Sequence, residues 1–211
     1  NGHFKNSASI SVARFDLLRL AANRVNNARF NGFVDDVRIF DYELSETQVA
    51  DLAARPVAHY PGEGNGNDVV GGVNGTVSGA AYSPGVVGQS FDFDGNNDYF
   101  ESSFTTTAGS PFTVSLWVNA GDINQARFSG ILSTSNGPNA AGSFQIDFDG
   151  NASGNGNYRF HGTDGDTYDK IIGPALKDFQ HLAVTYENST ITLYLNGQPT
   201  GTQNYPDAQF Y

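Results

Sequence analysis

Side chains able to do chemistry are plentiful in this chain, but their spacing gives catalysis little purchase. Retaining glycoside hydrolysis needs two carboxylates about 5–5.5 Å apart, usually delivered by Glu at alternate positions of one strand. Gln145-Ile146-Asp147-Phe148-Asp149 is the nearest approach, and it has no Glu to act as the acid. His3, His59, His161 and His181 lie far apart, without His-x-His or His-Glu-x-x-His spacing, so zinc or nucleophilic machinery has no foothold. Asp147 with Asp149, and Asp92 with Asp94, alternate as ordinary polar-out strand positions do. Asp164-Gly165-Asp166 with Asp169 alternates carboxylates but lacks the loop length and terminal Glu of an EF-hand, and reads as a solvated turn. Acidic residues spread through Gly- and Asn-rich turns do suit hard cations held by oxygen, which makes calcium the default ion. Glycan binding would instead need exposed rings to stack on sugar faces and polar groups to fix hydroxyls. Tyr158, His161 and Tyr168, with Asp164 in the turn between them, are the candidates, although each ring could equally be a half-buried strand aromatic. Trp117, flanked by Leu116 and Val118, reads as core rather than platform.

The elements that must position these residues are strands. With 211 residues, 16 Phe, 10 Tyr and one Trp, alongside 25 Gly and 8 Pro, the chain reads as an aromatic-rich β-sandwich or barrel with many turns. Alternation predicts strands over Ser9–Phe15, Gly32–Phe40, Ser90–Phe93, Thr113–Val118, Phe144–Phe148, Asn157–His161, His181–Tyr186 and Thr190–Leu195. The last two, joined through Glu187-Asn188-Ser189, form a predicted hairpin. One helix is predicted over Glu46–Ala54, with Ser45 and Gln48 at capping-box spacing and Pro56 as its stop. A formal charge of −11 repels phosphate backbones and anionic membrane surfaces, so nucleic acid is not an expected partner. No apolar run is long enough for a membrane helix, and membrane insertion is not expected. The absence of Cys rules out a disulfide framework, and the absence of Met, even at position 1, suggests a piece of a larger processed protein.

The run from Phe179 through Tyr186 and Thr190 to Asn196-Gly197 resembles the W-H-H-V-A-V-T-Y-D-G-S-T-L-T-L-Y-V-N-G hairpin of laminin-G-like, concanavalin-A-like domains, with Phe179 in place of Trp. His59-Tyr60 with Asp68 to Thr76, Phe93-Asp94-Gly95 with Asp98-Tyr99, and Phe112–Val118 follow in that family's order. Its closing element, G-x-I-D-D-V-R-I-Y-x-x-x-L-S, stands near the start instead, as Gly32–Phe40 with Leu44-Ser45. The resemblance implies an all-β, antiparallel two-sheet jelly roll in permuted order, with one short helix. Residues 1–56 would be the tail of a preceding repeat that supplies the closing strands, and residues 57–211 the main body of the next, at a period of about 195 residues. One self-completed sandwich is expected over two incomplete domains, because a lone tail cannot bury its apolar face and an unclosed sandwich exposes an edge.

The resemblance further implies a calcium site in which Asp68, Gly71 and Asn74 curl around an ion beside Asp35 and Asp36, so that chelation would lower the melting temperature. It also implies an extracellular, secreted or cell-surface, non-catalytic carbohydrate-binding or adhesion module. The expected partners are a glycan and neighbouring repeats. A ligand-free structural spacer, or a polysaccharide hydrolase of the same fold, is the alternative.

Overall fold

The computed structural model describes residues 44–45, 56–134, 142–149, 156–162, 168–206 and 208–210. The chain divides into two units, Asn1–Pro56 and Val57–Tyr211. The predicted strands at Ser9–Phe15 and Gly32–Phe40, and the predicted helix, lie outside the described residues. The described strands all lie in the second unit.

Among the described residues, twelve strands follow one another: β1 (Thr76–Ser78), β2 (Ala81–Pro84), β3 (Gln89–Asp92), β4 (Tyr99–Glu101), β5 (Phe112–Val118), β6 (Gly130–Ser133), β7 (Phe144–Phe148), β8 (Asn157–Gly162), β9 (Lys170–Pro174), β10 (Gln180–Glu187), β11 (Thr190–Leu195) and β12 (Gln198–Asn204). They form two four-stranded sheets, ordered β12-β11-β10-β5 and β6-β7-β8-β9, with two-stranded ribbons β1-β4 and β2-β3. Every pairing is antiparallel. This is the expected two-sheet jelly-roll sandwich.

Period-2 alternation explains the core. Phe144, Ile146 and Phe148 of β7 and Tyr158 and Phe160 of β8 face Leu182, Val184 and Tyr186 of β10 and Ile191 and Leu193 of β11 across the sandwich. Phe112 joins the two layers, stacking on Phe144 at 5.6 Å and on Tyr186 at 5.4 Å between centroids. Each such side chain is worth about 1.5–3 kcal/mol when fully buried, which makes this aromatic seam the main stabiliser of the two sheets. A smaller cluster of Tyr60, Phe91 and Phe100 holds the ribbons. There Gly75 is required, since a Cβ would overlap the Phe100 ring.

The β10–β11 hairpin closes through Asn188 and Ser189 alone, both left-handed at φ 49° and 58°. That is the type I′ geometry whose twist matches the flanking strands. Tyr158 is a correction: it is fully buried in the core with Phe160. Positions 158 and 161 are three apart, so a strand must send Tyr158 and His161 to opposite faces. Trp117 is a second correction, because it faces outward at 53% exposure. It shares the parity of Thr113 and Ser115, while Phe112, Val114, Leu116 and Val118 turn inward.

Candidate polar site on the outer face of the β6–β9 sheet

The strands that supply Phe144, Ile146, Phe148, Tyr158 and Phe160 to the core present their intervening residues on the opposite face. These are Gln145, Asp147 and, just beyond the strand, Asp149 from the β7 side, and Asn157, Arg159 and His161 from β8. Register sets Asp147 directly opposite Arg159 and Gln145 opposite His161. The central pair is sealed: Asp147 is fully buried and Arg159 is 1% exposed.

Arg159 meets Asp147 side-on, with Nε donating to Oδ1 at 2.9 Å and Nη2 to Oδ2 at 2.8 Å. Its third nitrogen, Nη1, donates to Asp169 Oδ2 at 2.7 Å and lies 3.8 Å from Asp149 Oδ1. Burial opposes the charge on Arg159, but the Asp147 hydrogen bonds and the charges of Asp147, Asp169 and Asp149 outweigh it and hold the guanidinium above its ordinary pKa. Asp169 also takes the Nδ1–H of His161 on its other oxygen and Arg127 Nη2 at 3.0 Å. Two guanidiniums and an imidazole thus converge on three carboxylates, and the bidentate geometry offsets the desolvation of the inner pair.

Over this network lies Phe128, on the loop before β6. Its backbone is left-handed at φ 70°, and its ring sits 4.6 Å from Arg159 Cζ and 5.1 Å from the His161 ring. An aromatic residue held in a costly backbone region, 47% exposed above a buried cation, is a platform fixed by the charge beneath it. Ile171, opposite Arg159 on β9 and 42% exposed, extends the apolar surface. Nδ1 of His161 is engaged by Asp169, which leaves Nε2 as the ring nitrogen outside that bond. The face therefore offers an apolar ring to stack on, rimmed by groups whose positions are set by hydrogen bonds.

Of the three described residues expected to hold a ligand, His161 alone stands here. Tyr158 is core, where burial pushes its phenol up to about 12 with the Leu176 backbone as a smaller opposing influence. Tyr168 packs edge-on to Tyr205 at 4.9 Å, at the core margin. Asp164 lies outside the described residues. Arg159, Arg127 and Phe128 belong to the site without having been expected. The alternation of Arg159 between Tyr158 and Phe160 was visible in sequence, but its partner depends on register.

Of the residues expected around calcium, those described bond to one another within a single loop. Asp68, 7% exposed, turns its carboxylate into its own loop. Oδ1 accepts the backbone N–H of His59 at 2.9 Å and those of Val70 and Gly71 at 3.0 Å, and Oδ2 accepts Val73 N–H at 3.2 Å. The His59 bond, then those from Val70, Gly71 and Val73, outweigh partial burial and hold the carboxyl at about 2. Asn74 Oδ1 accepts the Asp68 N–H at 3.0 Å. A cation needs these oxygens, and here amide donors have taken them, so Asp68 as placed does not fit the ion. Asp35 and Asp36 lie outside the described residues, and among the described residues no group of three or more His, Cys, Asp or Glu could hold a metal.

A family model described as the concanavalin A-like lectin/glucanases superfamily matches residues 94–210. No curated protein sequence matches the chain. Among solved structures, it is similar to domain 4 of AbnA, an extracellular arabinanase from Geobacillus stearothermophilus, in complex with arabinotriose. That match has 20% identity and a TM-score of 0.55, covering 72% of this chain and 77% of the other. A carbohydrate binding module from Bacillus subtilis matches at 12% identity over 64% of this chain and 82% of its own, with a TM-score of 0.35. The likeness to the arabinanase domain is one of fold.

Proposed function

The chain belongs to the concanavalin A-like lectin/glucanases superfamily, and on that premise we propose that it is a non-catalytic carbohydrate-binding module whose ligand lies on the outer face of the β6–β9 sheet. The observation that carries this reading is Phe128, a half-exposed ring locked over the Arg159–Asp147 pair and beside His161. A sugar ring presents an apolar face to such a platform and hydroxyls to its rim. Here His161, Arg127 and Asp149 would meet them.

The carboxylates of this face are already engaged. A hydrolytic pair needs one carboxyl free to pass a proton to the leaving oxygen and another to face the anomeric carbon. Asp147 gives both oxygens to Arg159, Asp169 is spent on Arg159, Arg127 and His161, and Asp149 lies 3.5 Å from Arg127 Nε. Polar networks of this kind position ligands and keep a face rigid.

The test is calorimetry of the whole chain against arabinotriose, chosen because the similar arabinanase domain holds it, and against soluble β-glucan oligosaccharides. Phe128→Ala should weaken binding about tenfold, the loss of one stacking contact of about 1.4 kcal/mol, with the fold intact. Unchanged affinity in that variant would remove the ligand from this face. Reducing ends released from any of these sugars would overturn the non-catalytic part.

A further inference from the structure

We infer that the other sheet carries a second and separate sugar site, a neutral pyranose or furanose ring stacked on Trp117. Trp117 on β5 stands directly opposite His181 on β10. The outward positions around them are Thr113, Ser115, Ala183 and Thr185, with Tyr194 of β11 opposite Ala183, so on its own strand pair the indole rises among small side chains. The His181 ring flanks it at 5.2 Å and 62°, and among the described residues it is the indole's ring partner. The rest of that large apolar surface is open to solvent, which is uncommon for Trp unless something covers it.

What surrounds the indole says what would cover it. Asn196 and Gly197, left-handed at φ 50° and 76°, make the tight turn between β11 and β12. Asn196 N–H donates to the His181 carbonyl at 2.7 Å, and Asn196 Oδ1 accepts the His181 N–H at 2.9 Å. The side-chain oxygen being occupied, the amide NH2 is the end left to serve as a donor. A Cβ built on Gly197 would meet nothing, so the space above the turn is clear. Trp117, His181, Asn196 and Gly197 line an open depression of about 390 Å³, ample for one sugar ring.

None of the four residues carries a fixed charge. Partial burial lowers the His181 pKa, which keeps the imidazole neutral at physiological pH, with one nitrogen as donor and the other as acceptor. An aromatic face, an amide donor and a neutral imidazole complement a ring with an apolar face and hydroxyls at its edge. They do not complement a phosphate, a sulfate or a carboxylate. The site stands on this geometry and does not depend on the reading of the β6–β9 face.

Trp117 is the chain's single tryptophan, so its emission reports on this site alone. The experiment is a fluorescence titration of the whole chain with arabinotriose, cellotetraose and laminaritetraose, run beside calorimetry. At least one sugar should produce a saturable emission change, and Phe128→Ala should leave that change in place. Asn196→Gly, which preserves the left-handed turn and the fluorophore while removing the amide, should raise the midpoint at least about fivefold. Trp117→Ala should remove one class of sites by calorimetry, with circular dichroism confirming its fold. If the sugars bind by calorimetry with silent emission and Trp117→Ala binds as the parent does, the second site is wrong while the first survives. If no sugar binds by either method, both fall. Emission that shifts with protein concentration, with self-association lost in Trp117→Ala, would reassign the ring to a contact between copies and overturn the sugar site.

Discussion

At the scale of residues, Arg159 is the hinge of both stability and site. It is buried opposite Asp147 and reaches Asp169, so deleting it strands a carboxylate in the interior. Arg159→Ala should cost about 3–5 kcal/mol in a denaturant melt, because the buried Asp147 loses its cationic partner and keeps the Gln145 amide alone among the side chains described around it. Replacing both partners, Arg159→Leu with Asp147→Leu, should recover most of that loss, since an apolar pair of similar volume carries no desolvation penalty. If the double variant is as unstable as the single, the pair contributes more than mutual neutralisation. Asp68 acts differently, as an anion enclosed by four backbone N–H groups. Asp68→Asn should lower the melting temperature equally in excess chelator and in excess calcium. A loss confined to calcium would return this residue to the ion.

At the scale of elements, the turns decide register and the strands decide faces. Asn188 and Ser189 sit left-handed in a two-residue loop, and Ser pays for that conformation where Gly would not. Ser189→Gly should therefore stabilise the sandwich by about 1 kcal/mol by thermal or chemical denaturation, with the β10–β11 ladder unchanged. A destabilised variant would show that Ser189 holds contacts worth more than its backbone strain. β12, Gln198–Asn204, shows the opposite situation. It has almost no apolar alternation, it contains Pro199 and Gly201, and it is a strand only because β11 offers it an edge.

At the scale of the whole molecule, acid should loosen the fold in two stages. His181 has its pKa lowered by burial, so the unfolded chain binds its proton more readily than the folded one. Its contribution is complete above the ordinary value of about 6.5 and is lost as pH falls through the lower folded value. Asp68 is lowered from 3.8 to about 2, so what it contributes is complete above about 4 and disappears as pH falls toward 2. Melting temperature against pH should decline in those two windows, and Asp68→Asn should flatten the lower one. An unaltered lower decline in that variant would place the acid sensitivity elsewhere.

Much of the fold was legible because alternation is local. Phe144–Phe148 and Thr190–Leu195 declare their strands outright, since large apolar residues repeat every second position between turn formers. The same parity already separates Tyr158 from His161 and groups Trp117 with Thr113 and Ser115, so both corrections could have been made by counting. Short strands such as Thr76–Ser78 and Gly130–Ser133 could not have been read this way, because three or four residues do not establish a period. Nor could the site itself. Asp147 meets Arg159 because β7 and β8 pair in one register, and a shift of one residue in either strand would send that strand's polar residue into the core. Phe128 covers them because a left-handed loop residue returns over the sheet. Composition and parity determined that this chain would build a two-faced β-sandwich. Which polar groups meet, and which rings remain open to a ligand, depended on pairing between segments distant in sequence, and only the tertiary structure decided it.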